Sequence, residues 1–366
     1  MAAPTTAKRI IRAIAVVVVF SGIVGGCTNL PYYLQSVRGQ LDIWSRQHDI
    51  QAVIEKPSTT APLREKLQAV LDIREFASEA LALPRNASYR SYANLERAYV
   101  LWNVFAAPEF SIQPRQWCFA FAGCVNYRGY FDKADAEAFG ADVAAEGYDV
   151  FVGGVPAYSM LGYFPDPVLN TFVNYPKPHL ARLVFHELAH QVVYVRDDSE
   201  FNESFAVAVE QEGMRRWLAR YGTDQDRATS VLIGQRRGEF VNLIETYRGR
   251  LNALYESGLP RAEMRPRKKA LFAELEADYG KLKAGWGGFA GFDRWFSDEP
   301  NNALLASVSI YTRKVPAFEA LIARENGDMP RFYAAVKALA QLGKRERTAA
   351  LDRLMPPTAE AAAAAH

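Results

Sequence analysis

One short run limits what this chain can fold into more than any other feature of its sequence. Residues 185–191 read Phe-His-Glu-Leu-Ala-His-Gln, so two histidines lie four positions apart with a glutamate beside the first. On a helix this spacing places the imidazoles of His186 and His190 on one face, about one turn apart, where they can share one Zn²⁺. Glu187 then lies beside the metal and can act as general base toward a bound water. Glu203, thirteen positions after His190, is the candidate third ligand on a following helix.

Two histidines on a helix can also be ordinary solvated side chains, and the surrounding sequence separates the two interpretations. The run is flanked by apolar residues on both sides, namely Leu180, Leu183, Val184, Phe185, Val192, Val193 and Tyr194. These residues predict a largely buried helix, on which three ionisable groups are costly unless they have partners. Because a metal ion is such a partner for the imidazoles, the sequence favours a metal site.

The segment that contains Glu203 carries a family resemblance. Residues 202–206, Asn-Glu-Ser-Phe-Ala, resemble the Asn-Glu-Gly-Phe-Ala segment of the gluzincin metallopeptidases, above all the zinc aminopeptidases. The resemblance implies that Glu203 is the third zinc ligand and that Glu210 supports a ligand histidine; the two glutamates are two turns apart on one helical face. Twelve residues separate His190 from Glu203, fewer than in the usual aminopeptidases. The chain is therefore more similar to a smaller bacterial family described as putative aminopeptidases.

Two further phrases resemble that family, at residues 162–167, Gly-Tyr-Phe-Pro-Asp-Pro, and at residues 301–303, Asn-Asn-Ala. The resemblance spans most of the chain after about residue 30. It implies an α+β, mostly helical, gluzincin-like fold with a small sheet beside a zinc-bearing helix pair and long C-terminal helices. It also implies one zinc ion, a peptide substrate and hydrolysis by a zinc-activated water. The aminopeptidase activity rests on the resemblance alone, because no residue pattern separates an exopeptidase from an endopeptidase.

Substrate contacts are predicted from the same resemblance. In gluzincins an edge strand lies along the cleft and the bound peptide extends the sheet. Residues 155–159 are the candidate strand, with Tyr158 as a substrate-binding residue, because Pro156 lacks an N–H donor and suits an edge; an interior strand with a kink is the alternative. Asp166 could bind the α-amine of a substrate, or it could be a turn residue between two prolines. Tyr311 is the candidate oxyanion donor, although a tyrosine among apolar neighbours is more often a core residue; Tyr163 and Tyr158 are its alternatives.

The N-terminus predicts export. Basic residues precede an apolar stretch at residues 13–24 that is too short to span a bilayer comfortably. Residues 24–27, Val-Gly-Gly-Cys, then read as a lipobox, so residues 1–26 are a predicted lipoprotein signal peptide and Cys27 carries lipid. Thr28 in place of aspartate favours the outer membrane, with the protein facing the periplasm. A plain secretory signal or an uncleaved anchor helix is the alternative.

The remaining two cysteines, Cys118 and Cys124, are a predicted disulfide, because five residues separate them and exported proteins oxidise such pairs. Two buried free thiols are the alternative. The hairpin that a bond requires has Gly123 near its bend.

Composition predicts an ordinary globular protein with no nucleic-acid partner, since the net charge is only +2 and no basic aromatic patch occurs.

After the signal peptide, the predicted regions are an N-terminal helical region at 27–112, the catalytic sheet and zinc helices at 113–215, a C-terminal helical region at 216–355 and a disordered tail at 356–366. Periodicity predicts helices at 32–50, 63–83, 89–105, 134–145, 224–255, 261–283, 302–324 and 330–342, and strands within 118–131 and 148–161.

Two rival functions remain open at the level of sequence. The protein could be a zinc-binding envelope protein with an assembly or chaperone role and no peptidase activity. A structural zinc site fills all four positions with protein ligands, and His179 would be the candidate fourth. The protein could also hydrolyse a non-peptide amide.

Overall fold

The computed structural model describes residues 30–119, 123–296, 299–309 and 313–355. The chain divides into two compact units, Met1–Arg46 and Gln47–His366. The first unit contributes helix α1, Leu30–Ser45. Within the described residues, no helix combines the length and apolar character needed to cross a membrane.

The described part of the second unit is mostly helical, with small sheets. Its helices are α2 Ile50–Glu55, α3 Ala61–Leu81, α4 Lys133–Ala145, α5 Lys177–His190, α6 Ser199–Tyr221, α7 Asp224–Tyr255, α8 Arg261–Gly285, α9 Asn302–Ser309, α10 Val315–Arg324, α11 Met329–Ala340 and α12 Lys344–Asp352. Its strands are β1 Gln47–Asp49, β2 Ser91–Ala93, β3 Leu101–Pro108, β4 Trp117–Phe119, β5 Gly123–Val125, β6 Arg128–Tyr130, β7 Tyr148–Val155 and β8 Val168–Leu169. This confirms the α+β, mostly helical fold class.

The strands form three small sheets within the described residues. The largest has the order β6-β3-β7 and is antiparallel, with β3 and β7 paired from Leu101↔Val155 to Pro108↔Tyr148. The second has the order β1-β2-β8, with β2 and β8 parallel. The third is the hairpin of β4 and β5. β7 is therefore an edge strand of the main sheet in the part of the chain that the structure describes.

The central strand β3 is buried on both faces. Ala106 packs with Trp117 and with Val143 of α4 on one face, and Phe105 and Ala107 pack with Ala303 of α9 on the other. Consecutive residues of a strand point to opposite faces, so β3 is apolar at every position from Val104 to Ala107 and shows no alternation.

The prediction of a helix at residues 89–105 is wrong, because a strand without alternation cannot be recognised by its pattern. Leu95, Tyr99 and Trp102 have helical spacing, but the segment contains β2 and the start of β3. The region at residues 27–112 is consequently not wholly helical, and it supplies the central strand of the main sheet.

Three smaller predictions also need correction. The predicted helix at 32–50 ends at Ser45 and is followed by β1, and the predicted helix at 302–324 is two helices, because Lys314 is the N-cap of a new helix that begins at Val315. The candidate edge strand at 155–159 lies too far along the chain. The observed edge strand, β7, ends at Val155, so only that residue of the candidate segment belongs to it. Helices α2 and α12 were not predicted.

The phrase at residues 301–303 joins the sheet to the C-terminal helices. The buried Asn302 amide donates to the carbonyl oxygens of Pro108 and Glu109 at 3.1 and 3.0 Å and accepts from the Tyr255 hydroxyl at 2.9 Å. Its backbone N–H donates to Asp149 at 2.9 Å. These contacts tie the ends of β3 and β7 to α7 and α9, which is a structural role.

Helices α5 and α6 pack closely. At Gly213 of α6, an added Cβ would lie 2.5 Å from the Phe185 ring and 2.8 Å from Leu81 of α3. Glycine therefore allows α6 to approach α5 and α3 at this point. Closer to its N-terminus, α6 packs Phe205 against Phe318 of α10 and Phe332 of α11.

Candidate metal centre

Three side chains from α5 and α6 converge on one point. The nearest metal-binding atoms of His186, His190 and Glu203 all lie within 4.8 Å of one another. Glu203 Oε2 is 3.3 Å from His186 Nε2 and 3.7 Å from His190 Nε2. Ligands bound tetrahedrally to zinc at about 2.0–2.1 Å lie about 3.3 Å apart, and the two oxygen–nitrogen separations are close to this value. This group could hold a metal ion.

Glu210 orients one of the two histidines. His186 Nδ1 donates to Glu210 Oε2 at 3.1 Å, which leaves Nε2 directed toward Glu203. The other carboxylate oxygen of Glu210 accepts from Arg182 at 2.6 Å and lies 3.6 Å from Arg237 of α7. Such an outer partner fixes the tautomer and ring orientation of a metal-binding histidine. Glu210 thus links His186 to two arginines.

The charges of this group shift its pKa values strongly. Burial lowers the pKa of His186, but the hydrogen bonds to Glu203 and Glu210 and nearby carboxylate charges outweigh it and raise the pKa to about 10. Burial raises the pKa of Glu210, but the hydrogen bond from His186 and the charges of Arg182 and Arg237 lower it to about 2. Glu210 is therefore a carboxylate throughout the physiological range.

The other two candidate ligands differ from His186. Burial lowers the pKa of His190 to about 4, so its imidazole is neutral at neutral pH and has a lone pair for a metal. His190 Nδ1 makes no hydrogen bond within the described part of the chain, so no partner comparable to Glu210 is found for it there. Burial raises the pKa of Glu203, but His190 and His186 together hold it below its usual range.

Glu187 lies next to this group on α5 and is half-buried. Burial raises its pKa to about 7, with further increases from the charges of Glu203, Asp166 and Glu210 and an opposing effect from His186. A carboxylate with a pKa near the working pH can both accept and return a proton, which is what a general base in hydrolysis must do.

The connection between α5 and α6 is held by side chains to which the sequence interpretation assigned no role in the site. The buried Asn202 amide accepts from the Val195 N–H and donates to the Val195 carbonyl oxygen, both at 2.7 Å. Asp198 is the N-cap of α6 and accepts from the Arg347 guanidinium of α12 at 2.8 Å in a buried ion pair. Since Glu203 is only five residues into α6, these contacts determine where its carboxylate lies.

The predicted disulfide is present between Cys118 and Cys124. The two residues are cross-strand partners in β4 and β5, with Cα atoms 3.8 Å apart, closer than the usual range of about 4.4–6.8 Å. The Cys124 N–H donates to the side chain of Asp197, which precedes the N-cap of α6. Gly123 has φ +77°, and an added Cβ would lie 2.4 Å from Asp197, so glycine is needed for this contact.

Asp166 has the surroundings of a structural turn residue. It is 2 % exposed, and its carboxylate accepts from the Met160 N–H at 2.8 Å, the Ser159 hydroxyl at 3.1 Å and the Gln191 amide at 2.9 Å. Burial raises its pKa to about 6, against these hydrogen bonds. Both oxygens are already used, so the interpretation as a turn residue describes Asp166 better than binding of an α-amine.

The remaining predicted site residues are Tyr158, Tyr311 and Cys27. Tyr158 is half-buried just past the end of β7, and its ring packs edge-on against Phe131 at 6.2 Å. Tyr311 and Cys27 lie outside the described residues. The sequence interpretation did not include Tyr89, which has φ +62° and donates its N–H to the Asp166 carbonyl oxygen at 2.6 Å. Burial raises the pKa of its hydroxyl, and the charges of Asp166 and Glu187 raise that pKa further.

The sequence interpretation missed the two arginines that contact Glu210, although one of them, Arg182, had a signal in the sequence. Arg182 precedes His186 by four positions, so both lie on one face of α5, and a basic residue there could have been assigned to Glu210. Arg237 lies 27 residues beyond Glu210 and reaches it only because α7 folds back beside α6, for which no local pattern exists.

Comparisons with known proteins give a family but no individual relative. Neither the curated proteins nor the solved structures include a match to this chain. A sequence model of the family described as "Putative aminopeptidase" matches residues 31–351. Because the match covers nearly all of the 366 residues, the chain belongs to the putative aminopeptidase family.

Proposed function

We propose that this protein is a zinc-dependent aminopeptidase of the gluzincin type. The observation that carries the proposal is the spacing of His186, His190 and Glu203, with oxygen–nitrogen separations of 3.3 and 3.7 Å beside a half-buried glutamate. Three protein ligands are the pattern of catalytic zinc sites, which keep one position open, whereas structural sites have four. Membership of the aminopeptidase family supports a peptide as the substrate.

Each residue of the site has a distinct role in the proposed reaction. A bound zinc ion would supply Lewis acidity and a water of lowered pKa, about 7. Glu187 accepts the proton of the attacking water and delivers it to the leaving amine. Glu210, held by Arg182 and Arg237, keeps the His186 ring oriented. We assign the oxyanion donor to Tyr311.

Peptide binding along β7 is part of the proposal. Within the described residues β7 pairs with a strand on one side only, with β3, and a peptide can add to such an edge strand through backbone hydrogen bonds. The chain that follows β7 is tied to the C-terminal end of the metal-bearing helix, since Asp166 accepts from Gln191, the residue after His190. Tyr158, in this connection, is the proposed substrate contact.

The proposed location is the bacterial cell envelope, with lipid on Cys27 and the catalytic unit facing the periplasm. The support is the basic, apolar and Val-Gly-Gly-Cys order of residues 8–27. A Cys27→Ser protein should remain unprocessed or leave the membrane fraction. Unchanged mobility and fractionation would contradict the lipid attachment and leave the zinc chemistry unaffected.

The test of the enzymatic proposal separates metal binding from catalysis. Purified wild type should contain one zinc ion, and Glu187→Gln should retain it while losing about 10²- to 10⁴-fold in turnover, the effect of removing a general base. His190→Ala should lose the zinc. Full activity in Glu187→Gln, or stoichiometric zinc in His190→Ala, would refute the assignment.

The exopeptidase mode needs its own substrates. Each test peptide is offered with a free and with an acetylated N-terminus, so that the pair differs only in the α-amine. An aminopeptidase should release the first residue of the free peptide and leave the acetylated one intact. Internal cleavage of both would make the protein a zinc endopeptidase.

A further inference from the structure

Helix α1, Leu30–Ser45, has an exposed apolar face that the proposed catalysis does not use. Six large apolar side chains are exposed along it, namely Leu30, Tyr33, Leu34, Val37, Leu41 and Trp44. Leu34 and Val37 are 61 % and 58 % exposed, values that are costly for apolar side chains without a partner. A contiguous exposed apolar surface of this kind marks an interaction site.

The six residues share one face of the helix. At about 100° per residue, they fall within an arc of about 100°, whereas Gly39 and Ile43, the two buried residues of α1, lie on the opposite side. The helix therefore presents an apolar stripe on one face over all 16 residues, a length of about 24 Å. We call these six residues the α1 stripe.

The position of α1 in the chain indicates what covers the stripe. Leu30 follows Cys27 by three residues, which span at most about 10 Å. If Cys27 carries lipid, α1 therefore begins at the membrane surface. Its first and last turns carry Tyr33 and Trp44, and such aromatic residues are favoured at the boundary between headgroups and acyl chains.

The charges of α1 fit the same partner. Its charged residues are Arg38 and Asp42, both outside the stripe. Asp42 accepts from Arg46 at 2.8 Å, so its negative charge is compensated, while Arg38 is exposed on the flank. A cation beside an apolar face can extend to anionic headgroups while the apolar residues enter the layer below.

We propose that the α1 stripe lies flat on a lipid bilayer, with its apolar side chains at the boundary of headgroups and acyl chains. This contact is additional to any lipid on Cys27. It fixes α1 parallel to the membrane, where a lipid chain alone would leave the protein free to rotate. The inference does not depend on zinc or on peptidase activity.

The test places spin labels on the full-length processed protein in phosphatidylethanolamine–phosphatidylglycerol vesicles. Labels are attached to cysteines introduced as Leu34→Cys and Leu41→Cys, with Val37→Cys as a replacement should either fold poorly. Val231→Cys on α7 is the matched control, because Val231 and Leu34 are both 61 % exposed. Unsubstituted protein is the blank for any free Cys27 thiol.

The stripe labels should collide severalfold more with oxygen and severalfold less with a water-soluble nickel chelate than the label at position 231. Values equal to those of the control would overturn the proposal, whether or not Cys27 proves to carry lipid. Mutual spin broadening between stripe labels, present equally without vesicles, would also overturn it, because it would identify a second copy of the chain as the partner.

Discussion

The replacement Glu210→Gln tests how far the proposed metal centre depends on a residue outside its three candidate ligands. Glu210 has two carboxylate oxygens and uses each for a different donor, Oε2 for His186 and Oε1 for Arg182. A glutamine has the same size but only one acceptor oxygen. Either the His186 ring or the Arg182 guanidinium must then face an amide NH₂ group, and the negative charge is lost in both cases.

The magnitude follows from this count of acceptors. One hydrogen bond to a charged group contributes about 1.5–3 kcal/mol. At about 1.4 kcal/mol per tenfold change, its loss should weaken zinc binding about 10- to 150-fold, close to the 10- to 100-fold typical of outer partners of metal ligands. The variant should remain folded, because Arg182 is 30 % exposed and water can solvate it.

Glu212→Gln is the matched control. Glu212 is also a buried glutamate of α6 that pairs with two arginines, Arg215 and Arg216, at 2.7 Å, but it has no contact with a candidate ligand. Zinc affinity is measured by competition with a chelator of known affinity. Unchanged affinity in Glu210→Gln, or an equal loss in Glu212→Gln, would refute the orienting role.

Three further predictions concern the frame around the site. Arg347→Met should lower the free energy of unfolding by about 3–5 kcal/mol, because it leaves the buried Asp198 carboxylate without its partner. Chemical denaturation measures this change, and a loss below about 1 kcal/mol would mean that the pair contributes no more than a surface ion pair. Replacing Cys118 and Cys124 by serine should cost about 2–3 kcal/mol from the short closed loop, and equal stability of reduced and oxidised wild type would contradict it. For Asp166→Asn, stability relative to wild type should rise as pH increases from about 4, where the carboxyl ionises in the unfolded chain, to about 6, since burial raises the pKa of Asp166 to about 6 in the folded protein; above that pH the difference should level off. A pH-independent difference would show that Asp166 does not titrate there.

Much of the fold could be predicted from periodicity where one face of an element is buried. Helix α7 was predicted with its observed limits and α8 to within two residues of its end, because a long amphipathic helix repeats its pattern many times. Strand β3 could not be predicted in this way. Since both of its faces are covered, by α4 and α9, its residues are apolar without alternation, and local sequence cannot distinguish it from a helix.

In the proposed metal centre too, local sequence determined some features and tertiary structure decided the others. A spacing of four residues on a helix determines by itself that His186 and His190 face one point, because the geometry is local. The approach of Glu203 was decided by tertiary structure, through the Asn202 hydrogen bonds and the Asp198–Arg347 pair that set the start of α6. Asp166 was open to two interpretations from the sequence, an amine-binding carboxylate or a turn residue between prolines, and its carboxylate is used within the fold. Residue types and short-range spacing thus determined which groups could bind a metal, whereas the long-range packing of α5, α6 and α7 decided which charges hold them in place, because such contacts join positions that no local repeat relates.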